Sequence, residues 1–300
     1  MPDALGEEPQ SAAALAAATG CDADALDRFL RVLAACDIFE RRTDNSYRHT
    51  PISRCLRRDS PFAAAPSALL QGTLIFQAAL ANLEHTLRTG LPAIDSVAPN
   101  GFFGYLRAHP DEARVFDAAM TSLRAAHDDS ITSAYDFSAS SVIADIGGGQ
   151  GALLGAILER APNVRAVLFD LPEVVAGTAS TDRLRVQAGD FFRDPLPAAD
   201  LYILKLILHD WPDADALKIL SAIRRSAQPG VKLLVIEALM TEKPGFRPTH
   251  SMDLTVLALT GGRERSERQL GELFAATGFR LIRSIPTQSP VATIVEAEAV

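Results

Sequence analysis

Val142-Ile143-Ala144-Asp145-Ile146-Gly147-Gly148-Gly149-Gln150-Gly151 opens as an apolar run, turns on glycines and leads into a helical pattern from Ala152 to Arg160. Strand, glycine turn and helix in that order present backbone N–H groups and a helix N-terminus to a ligand. The turn also carries a carboxylate, Asp145, two residues before its first glycine. A pyrophosphate placed there meets repulsion. A ligand bearing an ammonium group and ribose hydroxyls is favoured.

Outward from the turn, apolar strand candidates fall at 142–145, 166–169, 184–188, 200–205, 231–237, 279–285 and 291–296. Helical patterns occupy 151–160, 212–227 and 266–277. Alternation of this kind predicts an α/β doubly wound sheet of parallel strands. The last two candidates are joined by a link too short for a parallel crossover, so they are expected to form an antiparallel hairpin.

The first third has a different texture. Ser11 to Thr19 reads as a helix stopped by Gly20, and Asp22 or Asp24 caps a second helix whose apolar positions are Leu26, Phe29, Leu30 and Leu33. Ile38-Phe39-Glu40 and Tyr47-Arg48-His49 flank the polar turn Thr43-Asp44-Asn45-Ser46, and helices feeding such a hairpin make a winged helix. Helical segments are predicted from Ala68 to Arg88 and from Phe102 to Ala134. The arginines around the hairpin (Arg41, Arg42, Arg48, Arg54, Arg57, Arg58) read as a solvated face, because the whole chain carries a net charge of −8. Nucleic acid is therefore not an expected partner. Cys21, Cys36 and Cys55 show no metal-type spacing, so neither zinc nor disulfides are expected. No apolar run is long enough to span a membrane, and the acidic stretch Met1 to Gln10 is unlike a signal peptide. A cytoplasmic location is expected.

In a doubly wound sheet, ligands sit beyond the carboxyl ends of the strands. The second strand ends at Phe169-Asp170, 23 residues beyond Gly147, close to the ~20 expected of a carboxylate on ribose hydroxyls. The third leads to Gly189-Asp190-Phe191-Phe192, an acceptor for an exocyclic amine beside an aromatic face for adenine. Three successive nucleoside-complementary strand ends, with Asp145 at the first, favour S-adenosylmethionine over a dinucleotide. The fourth strand, Asp200 to Leu208, delivers Lys205 and then His209-Asp210-Trp211. A histidine is mostly neutral at pH 7 and can take a proton there. Glu237 and Glu264 are the carboxylates available to orient it, although within Gly261-Gly262-Arg263-Glu264-Arg265 a local salt bridge is the plainer reading of Glu264.

These pieces, in this order and spacing, resemble the S-adenosylmethionine-dependent O-methyltransferases typified by plant caffeic acid and isoflavone enzymes, acetylserotonin methyltransferase and bacterial polyketide-tailoring enzymes. The histidine–aspartate–tryptophan segment contributes most to the likeness, and Leu30-Arg31-Val32-Leu33 and Thr50-Pro51 extend it into the first third. The resemblance implies a Rossmann-like catalytic domain over 93–300 and a small, mainly helical winged-helix dimerisation domain with connecting helices over 1–92. It implies His209 as the base that deprotonates a substrate hydroxyl, flanked by Glu237 and Glu264. It places S-adenosylmethionine on Asp145, Gly147, Gly149, Asp170, Leu171, Gly189, Asp190, Phe191 and Lys205. A small aromatic hydroxylated acceptor is expected among Phe102, Phe103, Met120, Asp210, Trp211, Met252 and Val256, with no metal. A homodimer through the amino-terminal domain is implied. Relatives carry further helices before the segment equivalent to Ser11, so a weaker dimer is expected here. Rival readings are N- or C-methylation, non-methylating chemistry on the same fold, an NAD-dependent oxidoreductase (opposed by Asp145) and a DNA-binding regulator (opposed by the acidic balance).

Overall fold

The computed structural model describes residues 1–60, 64–241, 247–289 and 291–300. It divides into two compact units, one of residues 1–73 with 111–123 and one of residues 74–110 with 124–300.

In the first unit, Ser11 caps the helix Ala12–Thr19 by accepting the Ala14 N–H at 3.2 Å, and Gly20 ends it in the left-handed region. Asp22, not Asp24, caps Ala23–Ala35. The hairpin forms as predicted, but Gln10–Ser11 adds a strand to it. Strands β1 (Gln10–Ser11), β2 (Phe39–Arg41) and β3 (Ser46–His49) make an antiparallel sheet in the order β1-β3-β2. Leu15, Leu30, Phe39 and Tyr47 form its core. Much of the arginine cluster is paired: Arg48 with Glu40, Arg54 and Arg57 with Glu7, and Arg58 with Asp3.

The second unit is built on seven strands: β4 (Val142–Ile146), β5 (Arg165–Asp170), β6 (Leu184–Ala188), β7 (Leu201–Lys205), β8 (Lys232–Glu237), β9 (Phe279–Pro286) and β10 (Thr293–Ala299). Their order is β6-β5-β4-β7-β8-β10-β9. The pairs from β6 across to β8 are parallel; β10 runs antiparallel to both β8 and β9, as the short link required. Side chains alternate across the central strands. Tyr202 and Leu204 of β7 join the core under the helices Asp213–Ser226 and Glu267–Ala276, whereas Leu201 and Ile203 join the core under Ala152–Arg160. Burial on both faces explains why β7 is apolar up to its last residue, Lys205. The chain winds outward from β4 to β6 and then crosses back to β7. The carboxyl ends of neighbouring β4 and β7 therefore flank the crevice where such sheets bind ligands.

Two long helical segments are interrupted. Phe102–Ala134 becomes Gly101–Ala108 and Pro110–Ala134, because Pro110 cannot continue a helix and instead starts one. Ala68–Arg88 becomes Ala64–Gln71, Leu74–Ala81 and Leu83–Thr89, broken first around Gly72. Among the described residues no single helix is long and apolar enough to cross a membrane.

Candidate functional site

The glycine turn closes tightly over the end of β4. Gly147 has φ 73° and its N–H donates to the Phe169 carbonyl at 2.8 Å. A Cβ there would stand 2.5 Å from Ile207 Cδ1 and 3.9 Å from the Phe191 ring, so only glycine leaves the turn open to a ligand. Asp145, 2% exposed, lies beneath it. Asp170 braces the turn from the neighbouring strand, accepting the Gly149 N–H at 2.7 Å and the Leu171 N–H at 2.7 Å. Asp190 accepts the Phe192 N–H at 2.8 Å, which fixes the Gly189–Phe192 turn.

Aromatic side chains gather beside this turn. The Trp211 ring stacks on Phe103 with centroids 6.1 Å apart and meets the edges of Phe191 and Phe192 at 6.0 and 4.8 Å. Offset and edge contacts of this kind hold rings in place while leaving faces available to a flat ligand.

His209 sits just beyond β7, 7% exposed, on a short turn at Leu208–Asp210. Its N–H donates to Glu237 Oε1 at 3.0 Å, and its Nδ1 pairs with Glu264 Oε1 at 2.8 Å. Glu264 is itself held by the donation of its N–H to Asp253 at 2.8 Å. The salt-bridge reading of Glu264 is therefore not what the fold builds; it is the ring partner of the histidine. Burial works against a charged imidazole. The Asp210 charge, the Glu264 hydrogen bond and the charges of Glu237 and Glu264 outweigh it and push His209 up to about 10. Burial likewise pushes Glu237 up to about 7, with His209 pulling the other way. Glu237 Oε2 and Glu264 Oε2 are buried without a hydrogen-bond partner among the described residues. The group is a nest of strongly coupled proton acceptors.

The remaining candidates fall in varied places. Lys205, 6% exposed, forms a buried ion pair with Asp128 of the helix Pro110–Ala134, a partner with no local sequence signal. Val256 is buried on the helix Pro248–Thr260, whereas Met252, one turn earlier, is exposed. Met120 lies in the 111–123 stretch of the other unit and is half-buried. Sequence reasoning also passed over Arg265, whose guanidinium is buried against the His209 turn. Burial of arginine cannot be read from an arginine-rich turn.

A carboxylate at the end of β4, a glycine turn free of side chains and acceptors on the next two strands fit an adenosyl group bearing an amino acid tail. Comparison with known proteins gives the class: a methyltransferase that uses S-adenosylmethionine. The chain belongs to the O-methyltransferase family, with residues 81–280 matching the O-methyltransferase domain and residues 1–59 the O-methyltransferase dimerisation domain. It is similar to O-demethylpuromycin-O-methyltransferase of Streptomyces alboniger, 37% identical over 98% of this chain and 82% of that protein. Phenazine O-methyltransferase of Lysobacter antibioticus is 36% identical over 99% of this chain and 89% of its own. The solved structure of an O-methyltransferase from neocarzinostatin biosynthesis, in complex with S-adenosylmethionine and 2-hydroxy-5-methyl naphthoic acid, matches with a TM-score of 0.85. It is 33% identical and covers 100% of this chain and 92% of that one.

Proposed function

We propose that the enzyme methylates a phenolic hydroxyl of a small aromatic natural product, with His209 as general base. The observation that carries this is the 2.8 Å pairing of His209 Nδ1 with Glu264, which leaves Nε2 as the nitrogen to receive the acceptor's proton. A phenol has a pKa of ~10, so its ionised fraction at pH 7 is about one part in a thousand. Contrary to the mostly neutral ring expected from sequence, a histidine pushed up to about 10 holds a proton at pH 7; once that proton is lost, the free ring has a proton affinity that matches the phenol's, and the transfer between them costs little. Glu264 orients the ring and stabilises the imidazolium; Glu237 holds the backbone of the same residue.

Asp145, Gly147, Gly149, Asp170, Leu171, Gly189, Asp190, Phe191 and Lys205 form the cofactor cradle in this reading. S-adenosylmethionine supplies an electrophilic methyl carbon on its sulfonium. Asp170 and Asp190 accept ribose and adenine donors, and Phe191 covers the adenine. Phe103, Asp210, Trp211 and Val256 line the acceptor's place in this reading, with Phe192 added through its ring contact with Trp211 and Met252 kept as a further candidate. The hydroxynaphthoic acid bound by the neocarzinostatin relative and the phenazine of the Lysobacter enzyme's name support a flat aromatic acceptor. The dimerisation domain supports a homodimer, and three free cysteines suit a reducing cytoplasm.

A crystal structure with S-adenosylhomocysteine and a hydroxynaphthoic acid tests the assignment. The acceptor oxygen is expected within about 2.6–3.2 Å of His209 Nε2. An oxygen that faces no titratable group contradicts it.

A further inference from the structure

We propose that Arg265 is a positioning residue for methyl transfer, its guanidinium holding the 208–211 turn so that His209 points at the acceptor. The inference rests on His209 being the base. Arg265 is 1% exposed and among the largest fully buried side chains of the described residues. Its two terminal nitrogens donate to the Leu208 and Trp211 carbonyls, each at 2.7 Å, and its Nε donates to Asp213 at 2.9 Å. One planar fork therefore grips the carbonyl just before His209 and another just past Asp210.

The turn needs holding. Leu206, three residues before the histidine, has φ 54°, a left-handed conformation that a residue with a side chain rarely adopts and that persists only where surroundings impose it. Leu206 itself is tied to β8 through its N–H to the Ile236 carbonyl at 3.0 Å, and the segment 261–265 restrains the turn at His209. Arg263 N–H donates to the His209 carbonyl at 2.9 Å, and a Cβ on Gly262 would stand 2.0 Å from that same oxygen. Glu264 takes the ring nitrogen. Arg265 completes the bracket from the same five residues. It is also the cation of the cluster: its charge pulls Glu237 down against burial. The charged groups around His209 are thus Asp210 on its own turn, Glu237 from β8, and Glu264 and Arg265 from the strap, with Asp213 neutralising Arg265 from the next helix.

Arg265→Lys and Arg265→Met separate charge from fork. Lysine keeps the cation but cannot donate to two carbonyls and a carboxylate in one plane. Methionine removes both. The full chain is compared by thermal melting, by S-adenosylmethionine affinity from calorimetry, by kcat on a panel of hydroxynaphthoic acids and hydroxyphenazines, and by nuclear magnetic resonance of the nitrogen-15-labelled histidine rings. In Arg265→Lys, kcat is expected to fall by about 10²-fold while cofactor affinity stays within about threefold. The His209 Nδ1–H, shielded by Glu264, is expected to exchange with solvent at least about tenfold faster, with core amides unchanged. A lysine variant with kcat within about threefold of wild type overturns the proposal, as does a parallel loss of kcat, cofactor affinity and core amide protection. If Arg265→Met does not fold, the lysine variant decides alone. Turnover surviving His209→Ala sinks the base reading itself; turnover lost there but kept in Arg265→Lys sinks only the positioning role.

Discussion

Replacing Glu264 with glutamine keeps the shape of the side chain beside His209 and removes its charge. The 2.8 Å contact to Nδ1 changes from a charge-assisted hydrogen bond to a neutral one. Hydrogen bonds to charged groups contribute about 1.5–3 kcal/mol, against about 0.5–1.5 for neutral ones, and the lost Coulomb attraction adds to the difference. At 1.36 kcal/mol per pH unit, His209 should titrate about one to two units lower than its wild-type position near 10. The chain has six histidines, so nitrogen-15 labelling gives a small set of ring signals, and His209→Asn assigns the one that matters. The ascending limb of kcat/KM against pH should move down with the ring titration. The plateau should fall, because a weaker base accepts the phenol's proton less readily. If the His209 signal titrates near 6.5 in wild type and does not move in Glu264→Gln, the reasoning about this carboxylate is wrong.

Three other perturbations bear on separate parts of the structure. Asp128→Ala removes the carboxylate paired with the buried Lys205 ammonium and should lower stability by about 3–5 kcal/mol in urea unfolding; a loss below about 1 kcal/mol would mean that this pair does not hold the ammonium in place. Gly147→Ala forces a side chain into φ 73° against Ile207, at about 1–2 kcal/mol of strain, and should weaken S-adenosylmethionine binding at least about tenfold by calorimetry. Unchanged affinity would remove the turn from the cofactor site. Stability should also decline with alkalinity. His209 binds its proton more tightly folded (about 10) than unfolded (6.5), so its contribution is complete below pH 6.5 and is lost as pH climbs towards 10. Glu237, raised from 4.5 to about 7, has the same sign over the window from 4.5 to 7. His209→Asn should flatten the upper window of a melting-temperature profile, and an unchanged slope there would contradict the raised histidine.

The catalytic unit is legible from sequence because its strands are buried on both faces. Runs such as 201–204 are then apolar without interruption, and Gly147 and Gly151 mark where the chain must turn. The strand ends follow from that pattern, which is why Asp145, Asp170, Asp190 and His209 can be placed from sequence at or just beyond the carboxyl ends of the strands. Partnerships across the fold were not legible. Lys205 and Asp128 are 77 residues apart on elements whose packing no local pattern records. Glu264 looked like one more charge in an arginine-rich turn until the backbone of that turn was seen against His209. Arg265 was hidden for the same reason, since its partners are carbonyl oxygens and those carry no residue identity. Helix breaks at Gly72 and Pro110 had punctuation in the sequence, but helical periodicity on either side of each outweighed it.

The central chemical claim, that His209 takes the acceptor's proton, is met most directly by His209→Ala. Methyl transfer to a phenolic acceptor should fall by about 10²–10⁴-fold, with S-adenosylmethionine affinity within about threefold of wild type. Turnover that survives the substitution at wild-type cofactor affinity would show that the proton leaves by another route, and that the buried histidine between Glu237 and Glu264 serves the fold alone.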